Sequence, residues 1–382
     1  MTELNRRQFL QVSASTSGGL LMSIALPGCA STQTYNDSKQ AWQANAWLHI
    51  HSDNRIEFVL DRVEMGQGTY TGLLTLLAEE LEVDPAQVEV SFAGVDSAYD
   101  NPIYKLQITG GSTSMASSFE RIRTAGASAR EMLLLAAALV WQLPVNQLSA
   151  SDGKIHAQDN NSSLSYGELA NLAAKQPVPE VQLKPASEFK RIGQAELRLD
   201  AHAKVTGQAN YGIDIELPNM LYAVVTRAPA WGAELKESDI SAAQQSKGVI
   251  DVFTINAAGR QGVAVVAQQY WQARKAQQKL VLAWQTPANA PSSDDIIALH
   301  QQALEQQPGD TVREQGEVNQ AVAAASQSLQ VEYQLPHLAH ATLEPQNCVV
   351  NAHDTGMEVW APTQSPSMAR VAAARHSRYS LD

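Results

Sequence analysis

Glu64-Met65-Gly66-Gln67-Gly68-Thr69-Tyr70-Thr71-Gly72-Leu73-Leu74-Thr75-Leu76-Leu77-Ala78-Glu79-Glu80-Leu81 reads as a glycine turn running into a helix. Its leucines recur at a spacing that gives a helix a wide apolar face. Upstream, Trp47-Leu48-His49-Ile50-His51 and Ile56-Glu57-Phe58-Val59-Leu60 alternate around Ser52-Asp53-Asn54, the pattern of a β-hairpin. Downstream, Val88-Glu89-Val90-Ser91-Phe92 alternates as a further strand. The glycine turn therefore sits between a strand and a helix in a unit that mixes both. On its own Gly66-Gln67-Gly68 is ordinary turn geometry.

A second turn carries more chemistry. Thr109-Gly110-Gly111-Ser112-Thr113-Ser114 precedes a long helical pattern from Met115 to Trp141. Backbone N–H groups, hydroxyls and a helix N-terminus together can cradle an anion. The same residues can equally be a capped turn, because Ser and Thr are common N-caps. The turn is not a Walker A loop, since it lacks the Gly-Lys pair. Gly126 costs the helix up to ~1 kcal/mol against alanine, which points to close packing there.

Proline-rich joints divide the rest of the chain. Pro177, Pro179 and Pro185 mark one, and Thr286-Pro287 to Pro291-Ser292-Ser293 marks another. Residues 42–175, 190–286 and 295–382 are the three expected domains, of α+β class. The middle one has strand-like Leu221–Val225, Gly248–Phe253 and Gly262–Val266, then helical Tyr270–Leu280. The last has helical Ile296–Gln307, strand-like Leu329–Tyr333 and Met357–Trp360, and helical Met368–Arg375. His337-x-x-His340 lacks the glutamate of a zinc-protease motif, so structural histidines are the default reading. No G-x-S-x-G elbow and no self-evident carboxylate pair for glycoside chemistry are present.

Composition narrows the function classes. The 382 residues carry 39 acids and 27 bases, a net charge of −12. An acidic chain without a long basic run repels nucleic-acid phosphates. Cys29 and Cys348 are too few for an iron–sulfur cluster or a four-cysteine zinc site. Any iron–sulfur centres must lie on another chain.

Residues 1–36 read as an export address. Arg6-Arg7 is followed by no charge until Asp37, with Leu20–Leu26 as a short apolar stretch. This resembles a twin-arginine signal and implies a periplasmic location. The stretch falls short of the ~20 residues of a spanning helix. Leu26-Pro27-Gly28-Cys29 resembles a lipobox, so lipid anchoring at Cys29 and cleavage near Ala30-Ser31 are both open. A cytoplasmic protein with an amphipathic N-terminal helix is the alternative.

Several segments together resemble one family. Glu64-Met65-Gly66-Gln67-Gly68-x-x-Thr71, Thr109 to Ser114, and Ala361-Pro362-Thr363-Gln364-Ser365-Pro366 are similar to the molybdopterin-binding large subunit of molybdenum hydroxylases, the xanthine dehydrogenase and aldehyde oxidase family. Lys204 to Asp214 and Leu221 to Pro229 are similar to that family's α/β hammerhead domain, and His340-Ala341-Thr342-Leu343-Glu344-Pro345 to the entry into its first molybdopterin domain. Here the Glu-Met-Gly-Gln-Gly segment precedes the hammerhead. That permuted order is like the branch of isoquinoline 1-oxidoreductase beta subunits and related exported aldehyde dehydrogenases.

The resemblance implies a second-type molybdopterin domain at 42–175, a hammerhead at 190–286 and the start of a first-type molybdopterin domain from 295. It places Gly66 and Gln67 against the pterin. Thr109, Gly110, Gly111, Ser112, Thr113 and Ser114 would hold the phosphates of the cofactor in its cytosine dinucleotide form, and Gln364 would bond an oxo ligand of molybdenum. Glu344 is read as structural. It also implies a small [2Fe–2S] partner subunit and oxidation of an aldehyde or N-heterocycle. The family's Gly-Gly-Gly-Phe-Gly loop and its late glutamate, the general base, have no counterpart before Asp382. No catalytic residue is therefore assigned. The expectation is a truncated chain, inactive alone, whose activity needs a polypeptide supplying the other half. A non-catalytic remnant and an exported binding or scaffold module are the alternatives.

Overall fold

The computed structural model of the chain describes residues 10–14, 19–24, 46–158, 162–195, 197–257, 259–306 and 309–381. Two compact units emerge. One holds the described residues up to Ile215 together with those from Glu344 onward; the other is Glu216–Leu343.

In the first unit, β1 (Leu10–Ala14), β2 (Gly19–Ile24), β3 (Ala46–His51) and β4 (Ile56–Leu60) pair antiparallel in sequence order. The chain then crosses through α1 (Thr69–Leu81) to β5 (Val88–Phe92), which pairs parallel to β4. A parallel neighbour needs such a crossover, and the leucines of α1 supply its apolar face. Leu73, Leu74, Leu76, Leu77 and Leu81 pack with Leu48, Ile50 and Phe58 in one core. The 29-residue α2 (Thr113–Trp141) lies along α1, followed by β6 (Leu148–Ser151), β7 (Lys154–Ala157), β8 (Ser163–Ser165) and α3 (Tyr166–Ala173). Ser165 and Glu168 form a reciprocal capping box that starts α3. The short α4 (Ala201–Val205) follows.

Part of the segment read as an export address belongs to this sheet. Gly19–Ile24 pairs with β3 as β2, and Leu20 and Met22 are fully buried in the core. Arg6, Arg7 and Cys29 lie outside the described residues.

The second unit carries β9 (Tyr222–Arg227), β10 (Glu234–Asp239), α5 (Ser241–Gln244), β11 (Val249–Ala257), β12 (Arg260–Ala267), α6 (Tyr270–Gln277) and β13 (Val281–Gln285). Its strands form a β11-β12-β9 sheet and a β10-β13 pair. Val252, Val263, Val265, Ala273 and Ala276 make its core. Two exposed helices follow, α7 (Ser293–Gln306) and α8 (Val318–Ala324). Back in the first unit come the β14 (Val349–His353) and β15 (Gly356–Trp360) hairpin and α9 (Pro366–Arg375).

One expectation is corrected. Leu329–Tyr333 alternates like a strand but forms none: Leu329 and Tyr333 are largely exposed, and no described strand pairs with the segment. Alternation specifies side-chain faces; a strand also needs a ladder partner for its backbone. His337 and His340 lie in irregular chain, and the His337 ring stands edge-on to His300.

The linker after α3 is fixed by two buried acids at the end of α1. Glu79 accepts the backbone N–H groups of Lys190, Arg191 and Ile192 and the Lys184 ammonium at 3.0 Å. Burial pushes its carboxyl up, but the Arg191 N–H, the Lys184 ammonium and the other donors outweigh it and hold it below its usual value. A carboxylate whose pKa is lowered by folding adds stability above its unfolded value, and this is lost as pH falls through the folded value. Stability of the wild-type chain is therefore expected to fall below about pH 5 more steeply than that of Glu79→Gln. Urea titrations at stepped pH would show parallel curves if the contact contributes nothing.

Candidate functional site

The two glycine turns meet because α1 and α2 run side by side in the same direction. A Cβ on Gly72, in the first turn of α1, would lie 3.2 Å from Met115 Sδ at the start of α2. Further along, a Cβ on Gly126 would lie 2.8 Å from the Leu77 carbonyl. Gly126 thus permits the close packing expected of it. The N-termini of both helices, each the positive end of a dipole, come together. The turns are also joined directly: the Val63 N–H donates to Thr109 Oγ1 at 2.8 Å.

The first turn is filled from within. Gly66 and Gly68 have φ of 102° and 86°, backbone that glycine adopts without strain. The Glu64 carboxylate accepts the N–H groups of Gly66, Gly68 and Tyr70 at 2.7, 3.2 and 2.9 Å. Burial raises the Glu64 carboxyl, but these donors, led by Tyr70, and the Arg198 guanidinium hold it below its usual value. Arg198 binds Glu64 at 3.1 Å, Asp200 at 2.8 Å and the Gly66 carbonyl at 2.6 Å. The bond from Arg198 holds Asp200 down to about 2. Gln67 is exposed; its Oε1 accepts from Met65 N–H and its Nε2 donates to the Val63 carbonyl. One amide hydrogen of Gln67 remains for another acceptor.

The second turn is open. Gly111 and Ser112 have φ of 60° and 55°, and no side chain caps α2. No acid stands in its first turn. Gly111 and Ser112 are exposed, and a Cβ on Gly110 would meet nothing within 4 Å. Gly111 is required by its φ, and a Cβ there would also displace the exposed Tyr104 hydroxyl. Thr113 is buried and structural: its hydroxyl donates to the Gly110 carbonyl and accepts from Asn101 Nδ2 at 2.7 Å.

Residues from the far end of the chain brace the start of the turn. Thr109 N–H donates to the Gln364 carbonyl, and Gln364 Nε2 donates to the Thr109 carbonyl, both at 2.8 Å. Gln107 N–H donates to Ser367 Oγ at 2.9 Å. The structure thus joins Thr109 to Gln364 and sets both near Val63. Glu344 stands apart, accepting from Gly212 N–H at 3.3 Å.

Beneath the open turn lies a charge cluster that no motif announced. Arg62 is fully buried; it contacts the Asp61 carboxylate and donates to Ser117 Oγ, one turn into α2, at 3.3 Å. Two turns along α2, the Arg121 guanidinium stacks 5.0 Å over the Trp47 ring. Its three nitrogens are buried with no hydrogen-bond partner among the described residues. Burial pushes Asp61 up to about 6 against the pull of Arg62 and Arg121. Two guanidiniums against one carboxylate leave a positive excess under the first turns of α2, which favours an anion.

Residues 4–215 match the molybdopterin cofactor-binding domain family, and a second match to a family of the same description covers residues 303–380. The chain belongs to the molybdopterin-binding large subunits of the molybdenum hydroxylases. It is 29% identical to the beta subunit of the isoquinoline 1-oxidoreductase of Brevundimonas diminuta, over 97% of this chain and 53% of that one. It is 28% identical to the membrane-bound aldehyde dehydrogenase [pyrroloquinoline-quinone] of Gluconacetobacter polyoxogenes, over 96% and 48%. Identity to the B subunit of the nicotinate dehydrogenase of Pseudomonas putida is 30%, over 85% and 27%. The chain thus spans about half the length of the first two relatives and about a quarter of the third. As a molybdopterin-binding subunit, it presents an uncapped helix end, a sterically free Gly110 and a buried positive excess, all of which fit a phosphate-bearing group.

Proposed function

We propose that this molybdopterin-binding subunit holds the cofactor in its cytosine dinucleotide form, with the phosphates at Thr109–Ser114. The single observation that carries the reading is the open N-terminus of α2 over the Asp61, Arg62 and Arg121 cluster. Ser112 and Ser114 add hydroxyl donors at that end, and the free backbone N–H groups of the first turn face an incoming anion. Gly66 and Gln67 line the pterin side, where the remaining amide hydrogen of Gln67 serves a pterin acceptor. Gln364 orients the metal end while its other amide hydrogen ties it to Thr109. When bound, the molybdenum centre supplies two-electron oxidation of an electron-poor C–H carbon, in an aldehyde or an N-heterocycle. Relatives named as an aldehyde dehydrogenase, an isoquinoline oxidoreductase and a nicotinate dehydrogenase support that substrate class. Electrons leave through a small [2Fe–2S] subunit.

Export to the periplasm is proposed on Arg6-Arg7 and the uncharged run after it. Processing near Ala30-Ser31 or at Cys29 would remove β1 and β2, which distinguishes the exported state from the chain that retains them.

Gly110→Asp tests the phosphate site. The new carboxylate has room and sets a negative charge beside the donors that would hold a phosphate. Chain purified from cells that make molybdopterin is expected to lose roughly tenfold or more of its releasable cytidine monophosphate, at unchanged thermal stability. A variant with full nucleotide content refutes the assignment.

A further inference from the structure

A second cluster lies at the other end of β3 and β4, and the cofactor reading does not use it. His49 stands directly opposite Glu57 in the ladder, and His51, two residues on, shares their face of the sheet. His51 Nε2 is 2.8 Å from Glu57 Oε2, and the two imidazole rings are 3.6 Å apart. One ligand atom from each of the three residues lies within 4.8 Å of the other two. His49 is 9% exposed, and its Nε2 has no hydrogen-bond partner among the described residues. A buried polar atom left unmatched asks for an explanation.

We propose that His49, His51 and Glu57 bind a divalent transition-metal ion of the zinc class that clips β3 to β4. Two imidazoles and a carboxylate are a donor set suited to zinc, with a fourth position left for water. The partly exposed side chains of His51 and Glu57 give the ion a way in. Roughly 10 Å of strand separates Glu57 from Leu60, where the chain leaves for the first glycine turn. The clip is therefore structural and independent of the cofactor. One feature opposes it: Arg55 Nη2 lies 3.4 Å from His51 Nδ1. That guanidinium is exposed and also bound to Asp53 and Glu89, so it can withdraw toward them.

The test is calorimetric titration of the tag-free full chain with Zn²⁺, with Co²⁺ absorption reporting the ligand set. One equivalent is expected to bind, raising the melting temperature. Glu57→Gln, His51→Ala and His49→Ala are each expected to weaken it roughly tenfold or more. Arg55→Gln is expected to tighten it by about tenfold, since a neighbouring cation is removed. His337→Ala, beside the unrelated His300 ring, is expected to bind as wild type. If His49→Ala does not fold, Glu57→Gln and Arg55→Gln decide. Absence of stoichiometric binding, or equal binding by wild type and Glu57→Gln, overturns the proposal.

Discussion

Replacing Glu80 with glutamine is expected to remove about 3–5 kcal/mol of stability. Glu80 is fully buried, and its Oε1 takes two bonds from Arg123, at 3.0 and 2.7 Å, and one from the Lys184 N–H. Arg123 is itself 5% exposed and packs between the Phe119 and Phe189 rings. Removing the carboxylate charge leaves that guanidinium buried without a counterion, which costs far more than the pair contributes as a pair. Arg130 adds a second cation at 3.7 Å, so the loss is felt twice. Glu131→Gln is the control: it breaks only the half-buried contact with Arg130 and is expected to change stability by less than about 1 kcal/mol. Urea unfolding of both variants makes the comparison. A loss at Glu80 as small as that at Glu131 would show that the buried pair is dispensable.

Gly126→Val is expected to cost about 3 kcal/mol, despite valine being the better helix former. The added Cβ meets the Leu77 carbonyl at 2.8 Å, Glu80 Cβ at 3.2 Å and the Leu81 N–H at 3.3 Å. Two of these are backbone, which cannot swing aside as a side chain can. The helices must separate, and their N-termini with them, so loss of stability should be accompanied by weaker cofactor retention. Gly167 in α3, whose Cβ would strike Asn54 and His51 backbone, offers a comparison at a similarly tight site far from the turns. Gly167→Ala should destabilise the chain while leaving cofactor retention per folded molecule intact. Equal cofactor retention in Gly126→Val would separate helix spacing from binding.

Much of the scaffold was legible because its signals are local. The hairpin of Trp47 to Leu60, the leucine face of α1 and the 29-residue α2 each declare themselves through spacing within a few turns or a few residue pairs. Gly126 declared itself as a helix residue of poor propensity. Leu329–Tyr333 misled because alternation says nothing about whether a neighbour exists. Leu20 and Met22 could be read as a leader or as a strand, since both need the same apolar residues. In the site, the order of motifs named the two turns, but not what fills or leaves them open. Arg198 as the clamp on Glu64 and the contact of Arg62 with Ser117 depend on partners tens to more than a hundred residues away. An unpaired guanidinium inside a helix looks in sequence like any solvent-facing arginine.

The bond between Gln364 Nε2 and the Thr109 carbonyl spans 255 positions of chain. During synthesis at ~5–20 residues per second, the partner of Thr109 reaches the ribosome's peptidyl site roughly 13 to 50 seconds after Thr109 itself. For that interval α1, α2 and the sheet can form from residues already made, while the turn that ends at Ser114 has no lid. The protein therefore emerges with its most anion-attracting end complete in charge and incomplete in shape. Until Gln364 is made, the Thr109 carbonyl lacks the amide donor that braces it in the folded chain.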